Sequence, residues 1–263
     1  METFKAGRLS AINEKNEALW PTKYPIDYLE RTKRNQPSRW WNALYMQEPF
    51  AGEGNIFKRD YWQKWPSTKP VPTCSFIIQS WDTAVTDQDI ASASYSARTT
   101  WGLFQRDDEK APNLFLLEAW RGRVDWNNLT KEALRAYKEY EPDKVLIEKK
   151  SSGQSLLQML RRLGVPVSAF ASNEGKVQRA NVAQPLWENG RVYYPDRKWA
   201  EEVIEEAAAF PQGQHNDYVD TMSMTGIWLQ RSWMMVPIGM GDDDDDEESN
   251  VVSIHRKRKA AYG

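Results

Sequence analysis

The chain has 263 residues with a formal net charge of −2, one cysteine and two histidines; that length suffices for one substantial domain with extensions. Cys74 alone excludes an internal disulfide framework and a cysteine-based zinc site. No apolar run reaches the roughly 18 residues that a membrane span needs, and the METFKAGRLS start lacks the apolar stretch of a signal peptide, so a reducing, cytoplasmic setting is expected.

The charge is unevenly spread. Residues 242–263 hold seven acids and four Lys or Arg, a net of −3, which leaves the rest near +1. A nearly neutral body can still gather its cations on one face. With only His215 and His255 available, any metal is expected on carboxylates, which favours Mg²⁺ or Mn²⁺.

Residues 1–66 are rich in Trp, Tyr and Pro, with short helices expected over about Pro25–Arg34 and Pro37–Gln47, and Gly52 and Gly54 punctuating the segment after them. This stretch is too irregular to build a core alone and is expected to pack on another surface. Residues 67–235 read as α/β. Cys74–Trp81, Ile90–Phe104 and Asn113–Trp120 are strand candidates with short connections, which favours an antiparallel meander. Leu129, Ala133, Ala136, Tyr137 and Tyr140 then recur at helical spacing until Pro142. Lys144–Glu148 is a short buried strand and Gly153–Leu163 a helix, with Gly164 as its C′ residue. Val165–Phe170 is a strand, Lys176–Glu188 a helix, Arg191–Tyr194 a strand, and two helices come next over about 198–209 and 216–231. The order β-β-β-α-β-α-β-α plus terminal helices is that of a ribonuclease-H-like fold, a mixed sheet flanked by helices. Residues 236–263 lack apolar periodicity and are expected to be a disordered charged tail.

Three acidic positions fall where chemistry needs them. Asp82 comes directly after the first strand candidate, Glu148 ends the fourth, and Asp217 and Asp220 open the last helix. In a sheet of this type the first and fourth strands lie side by side and parallel, so their C-terminal ends meet. A helix packed across that edge brings Asp217 to both. Carboxylates gathered in one place repel one another unless a cation lies between them. Two such ions stabilise the attacking and leaving oxygens of a phosphoryl displacement. Singly, each acid is equally a solvated strand end, an Asx-turn residue or a helix-terminus charge; their joint order is what points to a site.

SWDTA, IEKKSSGQSLLQML, GKVQRANVAQPLWENGRVYYP and FPQGQHNDYVDTMS together resemble the C-terminal nuclease domain of the large terminase subunit of tailed bacteriophages, over about residues 70–230. The resemblance implies Asp82, Glu148 and Asp217 as metal-binding catalytic acids, and Asp220 either as an auxiliary acid of the metal site or as a partner that holds the metal-binding acids from behind. The family often shows His-Asp-Asp where this chain has His215-Asn216-Asp217, which leaves Asp217 in place and puts Asn216 in doubt as a ligand. The implied activity is a metal-dependent endonuclease that cuts double-stranded DNA during genome packaging with two Mg²⁺ or Mn²⁺ ions. The implied partners are the packaging ATPase, the small terminase subunit and the portal, in the host cytoplasm at the procapsid. LWPTKYP and WWNALYMQEPFAGEGNIFK are similar to the junction between ATPase and nuclease, and no Gly-x-x-x-x-Gly-Lys-Ser/Thr loop occurs, so no ATP hydrolysis is expected of this chain. It would then be an excised fragment or one piece of a split terminase.

Several further residues are candidates for phosphate or DNA contact. Alternation turns either Lys149 or Lys150 back toward the acids; both are equally read as solvated. Ser152 sits where a helix N-terminus binds phosphate or is simply capped. Lys176 and Arg179 share one helical face; the resemblance implies the active-site rim or a DNA track for them, and they are equally read as surface charges. Arg121 and Arg123 lie in a turn suited to backbone contacts. His215 is either a water-positioning residue or a plain turn histidine. Two other readings stay open: a non-catalytic packaging subunit that docks on portal or DNA, and another ribonuclease-H-like nuclease such as a resolvase.

Overall fold

The computed structural model of the chain describes residues 9–13, 15–36, 38–47, 55–85, 94–106, 109, 111–149 and 151–232. Gly52, Gly54, the strand start expected at Ile90, Lys150 and the charged tail lie outside the described residues. Seven strands form one sheet: β1 (Trp62–Lys64), β2 (Phe76–Asp82), β3 (Ser96–Phe104), β4 (Asn113–Gly122), β5 (Lys144–Glu148), β6 (Val167–Phe170) and β7 (Val192–Tyr194). The helices are α1 (Ile26–Arg34), α2 (Ser38–Leu44), α3 (Trp126–Tyr140), α4 (Ser151–Arg162), α5 (Lys176–Glu188), α6 (Lys198–Ala209) and α7 (Asp217–Arg231).

The sheet order is β1-β7-β4-β3-β2-β5-β6. β2, β3 and β4 form the expected antiparallel meander, while β5 runs parallel to β2 and to β6. This is the mixed sheet of a ribonuclease-H-like fold. All seven residues of β2 are buried, as a strand covered on both faces requires. One face packs Ile78, Ala97, Trp101, Leu114 and Leu146 against α5, α6 and α7. The other packs Trp81, Val145 and Ile147 against Leu129, Ala133 and Ala136 of α3 and Leu156 and Leu160 of α4.

Local chemistry sets the helix ends. Asp125 caps α3 by accepting from the Asn128 N–H at 2.8 Å, and α3 stops at Glu141, whose left-handed φ of 41° precedes Pro142. Gly164 takes φ +75° just past α4, a conformation that glycine adopts without steric cost. α7 is buried almost all round from Tyr218 to Leu229, which marks a central helix rather than a surface one. Its close neighbour is α5: a Cβ on Gly226 would lie 2.7 Å from the Ala183 Cβ. Only glycine permits that approach.

The sheet begins earlier than the predicted boundary at residue 67. Trp62, Gln63 and Lys64 pair with Val192, Tyr193 and Tyr194, so β1 is drawn from the stretch read as a junction. Ile56, Phe57 and Trp62 enter the main core, and the rings of Trp62, Trp101 and Trp187 lie within 6.3 Å of one another. Three residues are too few for a strand period to show, which is why β1 was not expected.

Candidate active site

The site is built on one register row of the sheet. Trp81 pairs with Ile147 on the parallel strand β5, so the next residues along are Asp82 and Glu148. Across the antiparallel side Asp82 pairs with Ala97, and Ala97 with Arg121. Ser80 meets Thr225 of α7 at 2.6 Å; with side chains alternating along a strand, Asp82 is directed to that same helical face. Leu146 belongs to the same packing layer, and the same alternation carries Glu148 there. Asp82 is 7% exposed.

Above this row the N-terminus of α7 is held on two flanks. On one, the Arg179 guanidinium of α5 donates to Glu148 Oε1 at 2.9 Å and to Asp220 Oδ1 at 2.7 Å. Lys176 Nζ lies 2.6 Å from Asp220 Oδ2 and donates to Asn216 Oδ1 at 2.6 Å. Arg179 is 5% exposed and Asp220 2%. Burial pushes the Asp220 carboxyl upward; Lys176 and Arg179 oppose this, while Glu148 adds to it.

On the other flank Asp217 Oδ2 lies 3.7 Å from Arg121 Nη1. The same Nη1 donates to Glu206 Oε2, and the guanidinium rests 5.1 Å from the Tyr95 ring and 4.9 Å from that of Tyr218. Arg123 lies over Tyr95 at 4.4 Å, and His215 meets the same ring edge-on at 5.6 Å. Asn216, at the N-cap position of α7, makes no side-chain cap. Glu206 of α6 takes that role by accepting from the Tyr218 N–H at 2.6 Å. Burial pushes Glu206 up to about 7; the Tyr218 N–H and Arg121 pull it down, and Asp217 pushes it up.

The remaining candidates surround the same row. The Ser152 hydroxyl donates to the Thr83 carbonyl at 2.8 Å, tying the start of α4 to the chain that leaves β2. Next to it, a Cβ on Gly153 would collide with the Glu148 carbonyl oxygen, so glycine is required for α4 to start so close to the acid row. The Lys149 N–H donates to the Phe170 carbonyl at 2.9 Å. Lys149 also lines a cavity of about 310 Å³ beside Glu148 with Gln154, Gln158 and Arg161.

Lys176, Arg179, Glu148 and Asp220 thus form one contacting group, and Asp217, Arg121, Arg123 and His215 a second around Tyr95. Two participants escaped the sequence. Glu206 was hidden among the acids of α6, although its place beside the apolar positions Val203 and Ala207 marks it as facing inward. Tyr95 lies just before β3 and carries no motif. Arg179, expected on the active-site rim, on a DNA track or as a surface charge, is enclosed between the acids Glu148 and Asp220.

Carboxylates such as these four, at and above the strand ends, are of the kind that hold a hard divalent cation. Among the described residues, however, no three His, Cys, Asp or Glu side chains converge closely enough to hold an ion. Arg179 and Lys176 lie against the oxygens of Glu148 and Asp220 instead.

The family model described as Terminase RNaseH-like domain matches residues 79–225, more than half of the chain. No curated protein matches the chain in sequence. Among solved structures, the large terminase from a thermophilic bacteriophage is similar with a TM-score of 0.54 at 14% identity, covering 78% of this chain and 52% of that one. The same protein in complex with ATP-gamma-S gives 0.53 at 16% identity, with coverages of 76% and 51%. The chain spans about half the length of these large terminases, and the likeness shows a shared fold. The matched segment runs from β2 into α7 and contains Asp82, Glu148, Asp217 and Asp220: the chain belongs to the terminase RNaseH-like domain family.

Proposed function

We propose that the chain is a metal-dependent endonuclease that cuts double-stranded DNA during phage genome packaging. The observation that carries this reading is that Asp82 and Glu148 each follow the last paired residues, Trp81 and Ile147, at the C-terminal ends of neighbouring parallel strands, with Asp220 joined to Glu148 through Arg179. Asp82, Glu148, Asp217 and Asp220 are the residues that would hold Mg²⁺ or Mn²⁺. When bound, two such ions supply hydroxide near neutral pH and offset charge on the phosphoryl oxygens.

The protein's own groups do the rest. The carboxylates anchored at strand ends keep a fixed geometry, which metal ligation needs. Arg121 and Arg123, stacked on Tyr95, and Lys176 on the opposite flank are suited to the DNA backbone on either side of the acid row. His215, fixed against Tyr95, is suited to orienting water. Nothing in the chain looks like a base-reading module, so low sequence preference is expected. Large terminases whose structures are solved with ATP-gamma-S extend well beyond this chain, which supports a packaging ATPase as partner. The small terminase subunit and the portal complete the proposed machinery at the procapsid.

The test is plasmid cleavage with Mn²⁺, comparing the wild-type chain with Asp82→Ala. Cutting that the substitution reduces by two orders of magnitude or more is expected. Equal cutting by both overturns the assignment of Asp82. No cutting by the wild type together with no Mn²⁺ binding in calorimetry favours the non-catalytic packaging subunit.

A further inference from the structure

Arg179 is in the wrong surroundings for a DNA contact. It is 5% exposed, and both terminal nitrogens donate inward, one to Glu148 and one to Asp220. Its helix has no freedom to carry it outward. Ala180 and Ala183 on the next turn are fully buried, and α5 is pressed against α7 where Gly226 meets Ala183. The acids it joins come from different elements, β5 and α7, 72 positions apart in the chain.

A buried carboxylate and a half-buried one brought together, as Asp220 and Glu148 are, repel each other and pay for desolvation unless a cation lies between them. A divalent ion could fill that need only once bound. The guanidinium fills it from within the chain, and its planar fork suits two carboxylates at once. The guanidinium spans the gap between Glu148 and Asp220, with one terminal nitrogen on each.

We propose that Arg179 is a positioning residue that acts as the resident counter-ion of the acid group. It holds Glu148 and Asp220 together in the metal-free protein, and its positive charge opposes divalent cations at the same oxygens. The inference rests on the proposed role of Glu148 and Asp220 as metal ligands. Lys176, 43% exposed at its side chain, is the outer partner of Asp220 and leaves the inner place to Arg179.

The test uses thermal unfolding of the whole chain in EDTA and in Mn²⁺, for wild type, Arg179→Gln, Arg179→Lys, Glu148→Gln and the Arg179→Gln/Glu148→Gln double variant. In EDTA, Arg179→Gln should lower the midpoint by on the order of 10 °C, the scale for breaking a buried ion pair in a domain of this size. Adding Glu148→Gln should recover part of that loss, because the repulsion disappears with the charge. A merely structural arginine would show no such recovery. Mn²⁺ should raise the midpoint of Arg179→Gln more than that of wild type, with Arg179→Lys between them. If Arg179→Gln folds only with Mn²⁺ present and unfolds on chelation, the proposal is supported; failure to fold in either condition overturns it. No recovery in the double variant, or a measurable Mn²⁺ shift that is the same in wild type and Arg179→Gln, also overturns it. Recovery in EDTA without a Mn²⁺ shift in any variant keeps Arg179 as counter-ion and removes the metal reading instead.

Discussion

Glu206 shows how much one side chain in this site is asked to do. It caps α7 from α6, holds Arg121 and lies near Asp217. Its carboxyl is raised from the ordinary 4.5 to about 7, chiefly by burial. A folded state that binds a proton more tightly than the unfolded chain loses that advantage as pH rises through the interval between the two values. Wild type should therefore lose stability relative to Glu206→Gln between about pH 5 and 7. Unfolding midpoints of the two proteins at pH 5 and pH 8 check this; a gap that does not move with pH means that the ionisation is not felt. At this scale the strand-end positions of Asp82 and Glu148 were legible because each falls at the end of an apolar run. The burial of Arg179 was not legible, since a helical arginine near a lysine is ordinarily a surface charge, and only the seating of α7 encloses it.

Among the elements, the contact between α5 and α7 places the acids. Arg179 and Asp220 belong to these two helices, and Gly226 lets them approach. Replacing Gly226 with Leu should destabilise the chain by about 1–3 kcal/mol, the usual cost of overpacking, and should weaken Mn²⁺ binding if the metal reading holds. Denaturant unfolding and calorimetry measure the two effects separately; wild-type values in both would show that the helices do not need this approach. The helices α3 and α4 were plain from sequence because each buries one stripe. α5 was found as a helix, but not as a buried one: Arg179, Asn181 and Gln184 are enclosed with Ala180, Ala183 and Trp187, and polar residues in that proportion ordinarily mark a solvated face.

The molecule as a whole uses its sheet to separate two tasks. One end of the strands carries Asp82 in one row with Arg121 through Ala97, and Glu148 at the end of the neighbouring parallel strand. Near the opposite ends, Trp65 packs against Phe104, Phe115 and Tyr193, a purely structural cluster. The strand order around Asp82 and Glu148 could be foreseen, because short connections force a meander and a helical crossover forces a parallel neighbour. The outer edge could not, because β1 gains its place by pairing with β7, whose residues lie 130 positions later. A chain that starts at Ser67 lacks Ile56, Phe57 and Trp62 and uncovers Trp101 and Trp187. It should unfold at a distinctly lower temperature than one starting at Asn55, which keeps them. Matching midpoints would show that the early segment is dispensable.

The three indoles of Trp62, Trp101 and Trp187 have an optical consequence. They sit on β1, β3 and α5, with ring centres 5.9–6.3 Å apart. Chromophores that close couple their transitions, so the near-ultraviolet circular dichroism of this chain should carry a strong contribution from the triplet. Trp187 shares its helix with Arg179, eight positions along. The dichroic signal is therefore a built-in gauge of whether that helix keeps its seat on the sheet, readable without any label while ions or DNA are titrated at the far side.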